Sequence, residues 1–188
     1  EVSLVDALGN VLLGETASVI LFEQTSCGDW FETRTITGLE QVPVTLTTAC
    51  AVDSIKVYVA SAVVETPTFE VVPAAASSFN IVTPNSSVEA GVGLFPALIE
   101  ALDPYGNRVL DYEQNLNLYD SAGGLDTARG IGSATCSSFV DGQVLCTAQL
   151  LTASDSNQLA AVGGDGITGV SSSFAVTPST PRRVSVDI

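Results

Sequence analysis

The sequence predicts an all-β protein made of antiparallel sandwiches in series, and three observations carry that expectation. Segments recur at a spacing near 100 residues: Val2-Ser-Leu-Val-Asp6-Ala-Leu-Gly9-Asn10 returns as Ile99-Glu-Ala-Leu-Asp103-Pro-Tyr-Gly106-Asn107, an offset of 97. A period of that length marks tandem small domains. Apolar residues alternate with polar ones in short runs broken by Gly, Pro, Asn and Asp, and helix signals are nearly absent. The four cysteines fall two to each repeat.

The repeat is out of phase with the ends of the chain. Phe69-Glu-Val-Val-Pro73 returns as Phe174-Ala-Val-Thr-Pro178, an offset of 105, and Ser78-Phe79-Asn-Ile81 returns as Arg183-Val184-Ser-Val186. The expected organisation is a first repeat over 1–74 that lacks its N-terminal strand and a second over 75–180. The segment 181–188 is then the first strand of a following repeat, or a strand donated to a neighbour. Each repeat is expected to bury its own core. The start at Glu1 without Met is read as a mature product or an excised piece.

The strands follow in order from period-two alternation. Val2 and Leu4 share a face, as do Val19 and Leu21, which return as Leu116 and Leu118. Val42, Val44 and Leu46 alternate; Ile55, Val57 and Val59 alternate against Lys56 and Tyr58. Phe95, Ala97, Ile99 and Ala101 form one face in the second repeat. Gly9-Asn10 and Gly106-Asn107 suit turns with positive φ, and Asp6 and Asp103, four positions before the asparagines, are placed to accept from turn amides. Gly163-Gly-Asp-Gly166 is expected to be a flexible loop between two late strands. Pro73 to Ser77 and Pro178 to Pro181 are short links stiffened by proline.

Composition narrows the role. The 188 residues carry 21 acidic side chains against six basic ones, a formal charge of −15. That field repels nucleic acid and anionic membranes. No apolar run reaches the roughly 20 residues a membrane helix needs. One cysteine pair per repeat, Cys27 with Cys50 and Cys136 with Cys146, suggests disulfides and an oxidising compartment, secreted or at the cell surface. Four cysteines allow three connectivities, and pairing within repeats is the one that suits independent folding. Strand matching sets Val44, not Cys50, against Cys146, so the two bridges are expected at different places.

The second repeat carries Ala90-Gly91, Phe95, Ala101-Leu-Asp103-Pro-Tyr105-Gly106-Asn107-Arg-Val109 and Tyr112. This pattern resembles the bacterial Ig-like and filamin-type repeats found in tandem in giant surface proteins and in invasin- and intimin-like adhesins. The first repeat keeps Asp6, Gly9 and Asn10 but has Leu8 where the second has Tyr105, and it lacks the Ala-Gly segment. The resemblance implies Ig-like sandwiches with a structural or adhesive role and no reaction.

The residues point the same way. Histidine is absent, so Ser-His-Asp and Cys-His nucleophiles are ruled out, and no phosphate-binding glycine loop opens a helix. No catalytic residue, cofactor or zinc site is expected. Calcium is the one metal the composition admits, through Asp103, Asp111, Glu113, Asp120, Asp126, Asp141, Asp155 or Asp165, although none lies in an EF-hand or nonapeptide repeat. Trp30 and Phe31 are expected to cover the core end beside Cys27 rather than form a binding tip. Asn85-Ser-Ser87 is a glycosylation sequon.

Two roles remain. One is a semi-rigid spacer in the stalk of an extracellular surface protein, with neighbouring repeats and a cell-surface or host ligand as partners. The other is a filament subunit that assembles head-to-tail by donor-strand complementation, with Val184, Val186 and Ile188 as the donated apolar face. A carbohydrate-binding module and a glycosidase accessory domain rank below both, because no planar row of aromatics is evident.

Overall fold

A computed structural model describes residues 1–5, 8–23, 31–83, 86–91 and 94–180, the side chain of Glu23 excepted. Among the described residues there is no helix, so none is long and apolar enough to cross a membrane. The chain divides into two compact units, with the division between Pro73 and Ala74.

The first unit contains β1 (Val2–Ser3), β2 (Thr16–Glu23), β3 (Phe31–Thr37), β4 (Leu39–Glu40), β5 (Cys50–Asp53), β6 (Ile55–Val59), β7 (Ala62–Glu65) and β8 (Phe69–Val71). One ladder pairs β1 with β4; the facing layer runs β3-β2-β6-β7, with β5 paired to β8. The second unit contains β9 (Ser78–Val82), β10 (Ser87–Glu89), β11 (Phe95–Leu102), β12 (Leu116–Asp120), β13 (Ser133–Cys136), β14 (Gln143–Gln149), β15 (Ser154–Asn157), β16 (Leu159–Gly163), β17 (Thr168–Val170) and β18 (Phe174–Thr177). Its sheets are β13-β14-β11-β9, β10-β18-β15 and β12-β16-β17. This is the two-layer arrangement of an Ig-like sandwich.

Most strand pairings of the first unit return in the second at matching registers. Ile20 lies opposite Tyr58 and Leu21 opposite Val57; Asn117 lies opposite Val162 and Leu118 opposite Ala161, the same pairs moved by 97 and 104. Cys50 pairs with Val71 and Asp53 with Phe69 across a register shift; Ser154 pairs with Val176 and Asn157 with Phe174 across the same kind of shift. The isolated bridge Val5 to Val11 returns as Leu102 to Arg108. Gly9 and Gly106 adopt φ of 87° and 88°, the left-handed conformation that glycine takes without steric cost.

Several expectations need correction. Val2 pairs with Glu40 and Ile99 with Val144, an offset of 104 in the partner strands. Continuing that register, Val42 rather than Val44 answers Cys146. The Val42–Leu46 run keeps its alternating burial but forms no ladder with another described strand. The sandwich is not wholly antiparallel, since β10 runs parallel to β18. The Gly163–Gly166 loop is tied rather than free: Gly163 N–H donates to Ile167 O (2.8 Å), and Tyr112 Oη donates to Asp165 Oδ1 (3.0 Å). Phe31 does not cover the core; it opens β3 with 70% of its surface exposed.

The cores differ most. Nineteen buried apolar residues form one cluster in the second unit, around Phe95, Ile99, Leu118 and Leu159. Among the described apolar side chains of the first unit, only Val19, Leu21 and Ile36 are fully buried. The first unit's cluster, with Val2, Leu4, Val42, Val44, Ile55, Val57 and Val59 packed half-buried against it, is the smaller one; among the described residues the flanking partners that β9 and β10 provide in the second unit have no counterpart there.

Candidate functional site

The site is the flank of the first unit that those partners would cover. In the second unit β9 pairs with β11, placing Ile81 opposite Ile99 and Phe79 opposite Ala101, while β10 pairs with β18. Together they bury Phe79, Ile81 and Ala90 against the core. Among the described residues, no strand occupies the equivalent places beside β1 and β8. The consequence can be read residue by residue. Ile99, Ala101, Leu159, Ala161, Phe174 and Val176 are buried in the second unit; their counterparts Val2, Leu4, Ile55, Val57, Phe69 and Val71 are only half-buried in the first. Among the described residues, the outer edges of β1 and β8 thus have no strand paired to them and lie beside half-buried apolar side chains.

The structural anchors lie elsewhere. Cys136 and Cys146 face each other across β13 and β14 and are bridged. Cys50 is also disulfide-bonded; its expected partner Cys27 lies outside the described residues. Asp6, Trp30, Asn85, Val184, Val186 and Ile188 lie outside them too.

Asp103 is buried and accepts from four donors. Its Oδ1 takes Tyr105 N–H (2.9 Å) and Asn107 N–H (2.8 Å); its Oδ2 takes Asn107 Nδ2 (2.8 Å) and Ala74 N–H (3.0 Å). The turn amides follow from the sequence, whereas the bond to Ala74, 29 residues upstream, does not. Burial alone would raise the Asp103 carboxyl, but the bonds from Asn107, Ala74 and Tyr105 outweigh it and hold it below its ordinary range.

The other carboxylates are dispersed. Asp120 accepts from Leu125 N–H and Asn157 Nδ2, Asp126 lies 3.5 Å from Arg129, and Asp165 accepts from Tyr112. Among the described residues no three acidic or cysteine side chains are placed to hold a metal ion. A polar cleft of about 720 Å³ lies beside the disulfide, lined by Glu113, Gln114, Asn115, Ser137 and Ser138 with Phe139.

No family model matches the chain, and no curated protein matches it. Among solved structures it is similar to the Escherichia coli adhesin FdeC, at 15% identity and a TM-score of 0.43, over 92% of this chain and 56% of that one. It is similar to the Yersinia pseudotuberculosis adhesin InvE at 14% identity and 0.37, over 93% and 53%. It is also similar to a glycosyl hydrolase family 2 member from Bacteroides cellulosilyticus at 11% identity and 0.40, over 80% and 22%. The chain thus spans about half the length of the two adhesin structures and about a fifth of the hydrolase.

Proposed function

We propose that the chain is a non-catalytic structural and adhesive segment of an extracellular surface protein, whose tandem Ig-like domains form a semi-rigid stalk. One observation carries this reading. The two units share most of their strand registers, and only Val72 and Pro73 separate the end of β8 from Ala74, whose N–H is held by Asp103. A link of that length with a proline in it leaves little freedom. The disulfides support an oxidising compartment, and the charge of −15 argues against nucleic-acid partners. No catalytic residue, zinc or cofactor has a role here. Calcium remains a proposal for the second unit's carboxylates, and thermal melting with and without a chelator tests it.

Small-angle scattering of the intact chain tests the stalk. The expected result is an extended two-domain particle with a narrow distribution of lengths. A broad distribution, as from a freely hinged pair, overturns it. The open flank of the first unit favours a second reading, in which copies join head-to-tail into a filament.

A further inference from the structure

We propose that the polar cleft beside the Cys136–Cys146 bridge in the second unit binds a neutral mono- or disaccharide unit of a glycan. The proposal rests on the adhesive part of the role given above and supplies the chemical class of its ligand.

The cleft, at about 720 Å³, has the volume of a small-ligand site. Its two walls come from different sheets, and both are tied down. One wall is residues 113–116, the approach to β12, where Asn115 O accepts from Gly164 N–H (2.9 Å). The other is residues 136–139, the exit from β13. The bridge to Cys146 anchors its start, Ser137 N–H donates to Leu145 O (3.0 Å), and Val140 N–H donates to Gln143 O (2.8 Å). The half-buried Phe139 meets the Tyr112 ring edge-on, with centroids 5.0 Å apart, so its place in the cleft is set by the core.

The walls hold polar groups that the fold does not use. The side chains of Glu113, Gln114, Asn115 and Ser138 are exposed, and among the described residues none of them has a hydrogen-bond partner. The backbone adds to them. Leu118 accepts Thr127 N–H (3.0 Å) and donates to Thr127 Oγ1 (2.9 Å) on the side of β12 away from β16. Alternation along an antiparallel strand turns the N–H and C=O of Leu116 to that same side, where Leu116 lines the cleft.

This set selects among ligands. No Lys or Arg lines the cleft and the chain carries a charge of −15, so anionic ligands meet repulsion with nothing to offset it. Glu113 is the single carboxylate there, too little for calcium. An apolar ligand would desolvate the amides and hydroxyls without pairing them. Sugar hydroxyls both donate and accept, as these amide, hydroxyl and carboxylate groups require, while the C–H face of the sugar covers the Phe139 ring. A flat binding surface needs a row of aromatics; a cleft needs one.

The test is an amide-resolved NMR titration of the full chain with maltose, cellobiose, lactose and N,N′-diacetylchitobiose, each taken to about 20 mM so that dissociation constants on the order of 1 mM register. At least one sugar should shift the amides of Asn115, Leu116 and Ser138 together. Asn115→Ala and Ser138→Ala, one on each wall, should each weaken that binding about five-fold, as the loss of one hydrogen bond does, and should melt with the parent. If none of these sugars shifts the cleft amides, or if either substitution leaves the affinity unchanged, the proposal is overturned. An extended threonine-valine peptide is titrated in parallel; a shift of Leu116 by the peptide alone also overturns it and makes the cleft an acceptor for a strand beside β12. Cell binding by the chain that survives both substitutions would leave the adhesive role standing without this site, and scattering decides the stalk separately.

Discussion

Asn157 donates from Nδ2 to Asp120 Oδ2 at 2.7 Å, and both side chains are buried in the second unit. Asn157 Oδ1 in turn accepts from Ser121 Oγ, Ala122 N–H and Gln158 N–H. One amide thereby joins β12, the turn after it and the register shift of β15 against β18.

Asn157→Asp should therefore destabilise the second unit by about 3 kcal/mol or more, because it exchanges a donor for a second buried carboxylate. Thermal melting at neutral pH checks this. A variant that melts with the parent at neutral pH would show that the amide is not the joint.

The same place in the first unit is Asp53, which is fully buried. Its Oδ1 accepts from Ser54 N–H, but among the described residues its Oδ2 has no hydrogen-bond partner. Asp53→Asn removes a lone buried carboxylate and should raise the first unit's stability by about 1–2 kcal/mol. A lower melting temperature would mean that the charge has a partner in the working protein.

Much of this fold was legible in the residues, and the reason is the repeat. Once Asp6–Gly9–Asn10 is matched to Asp103–Gly106–Asn107, the strands, the glycine turns and the acceptor role of Asp103 follow. Period-two alternation says that one face of a strand is buried; it does not say which strand lies alongside. Hence the parallel pairing of β10 with β18 was not foreseen. Nor was the divergence after the third strand, where β3 pairs with β2 while β13 pairs with β14. The bond from Ala74 to Asp103 was hidden for a different reason, since a backbone donor leaves no mark on the sequence. The candidate flank was half legible: a missing strand could be inferred, but the half-burial of Val2, Leu4, Ile55 and Val57 required the structure.

Asp103 gives the start of the second unit a defined response to acid. Its carboxyl titrates below the unfolded value of about 4, so its contribution is present above that pH and is lost as pH falls through the folded value. Asp103→Asn should lose about 2 kcal/mol at neutral pH, because an amide nitrogen cannot accept from Ala74 or Asn107. It should also flatten the acid limb of the stability curve. Hydrogen exchange reads the bond directly: the Ala74 amide should exchange faster in the variant, and an unchanged rate would place the anchor elsewhere.

Tyr112 offers the complementary test on the alkaline side. Its ring packs edge-on against Phe79 and Phe139, and its hydroxyl donates to Asp165 across the layer. Burial first, and then the Asp165 carboxylate through its hydrogen bond and charge, push the phenol far above its ordinary value. The folded state thus holds this proton more tightly than the unfolded state does. Its contribution to stability is complete below the unfolded value of about 10 and declines as pH rises past it toward the folded value. In an ultraviolet titration of the four tyrosines, one should ionise last and only with unfolding. Tyr112→Phe should remove that late step, cost about 1–2 kcal/mol at neutral pH through the lost charge-assisted bond, and free the Gly163–Gly166 turn. If the variant keeps a phenol that resists ionisation to the same pH, another tyrosine is the buried one and the tie between Tyr112 and Asp165 does not hold the loop.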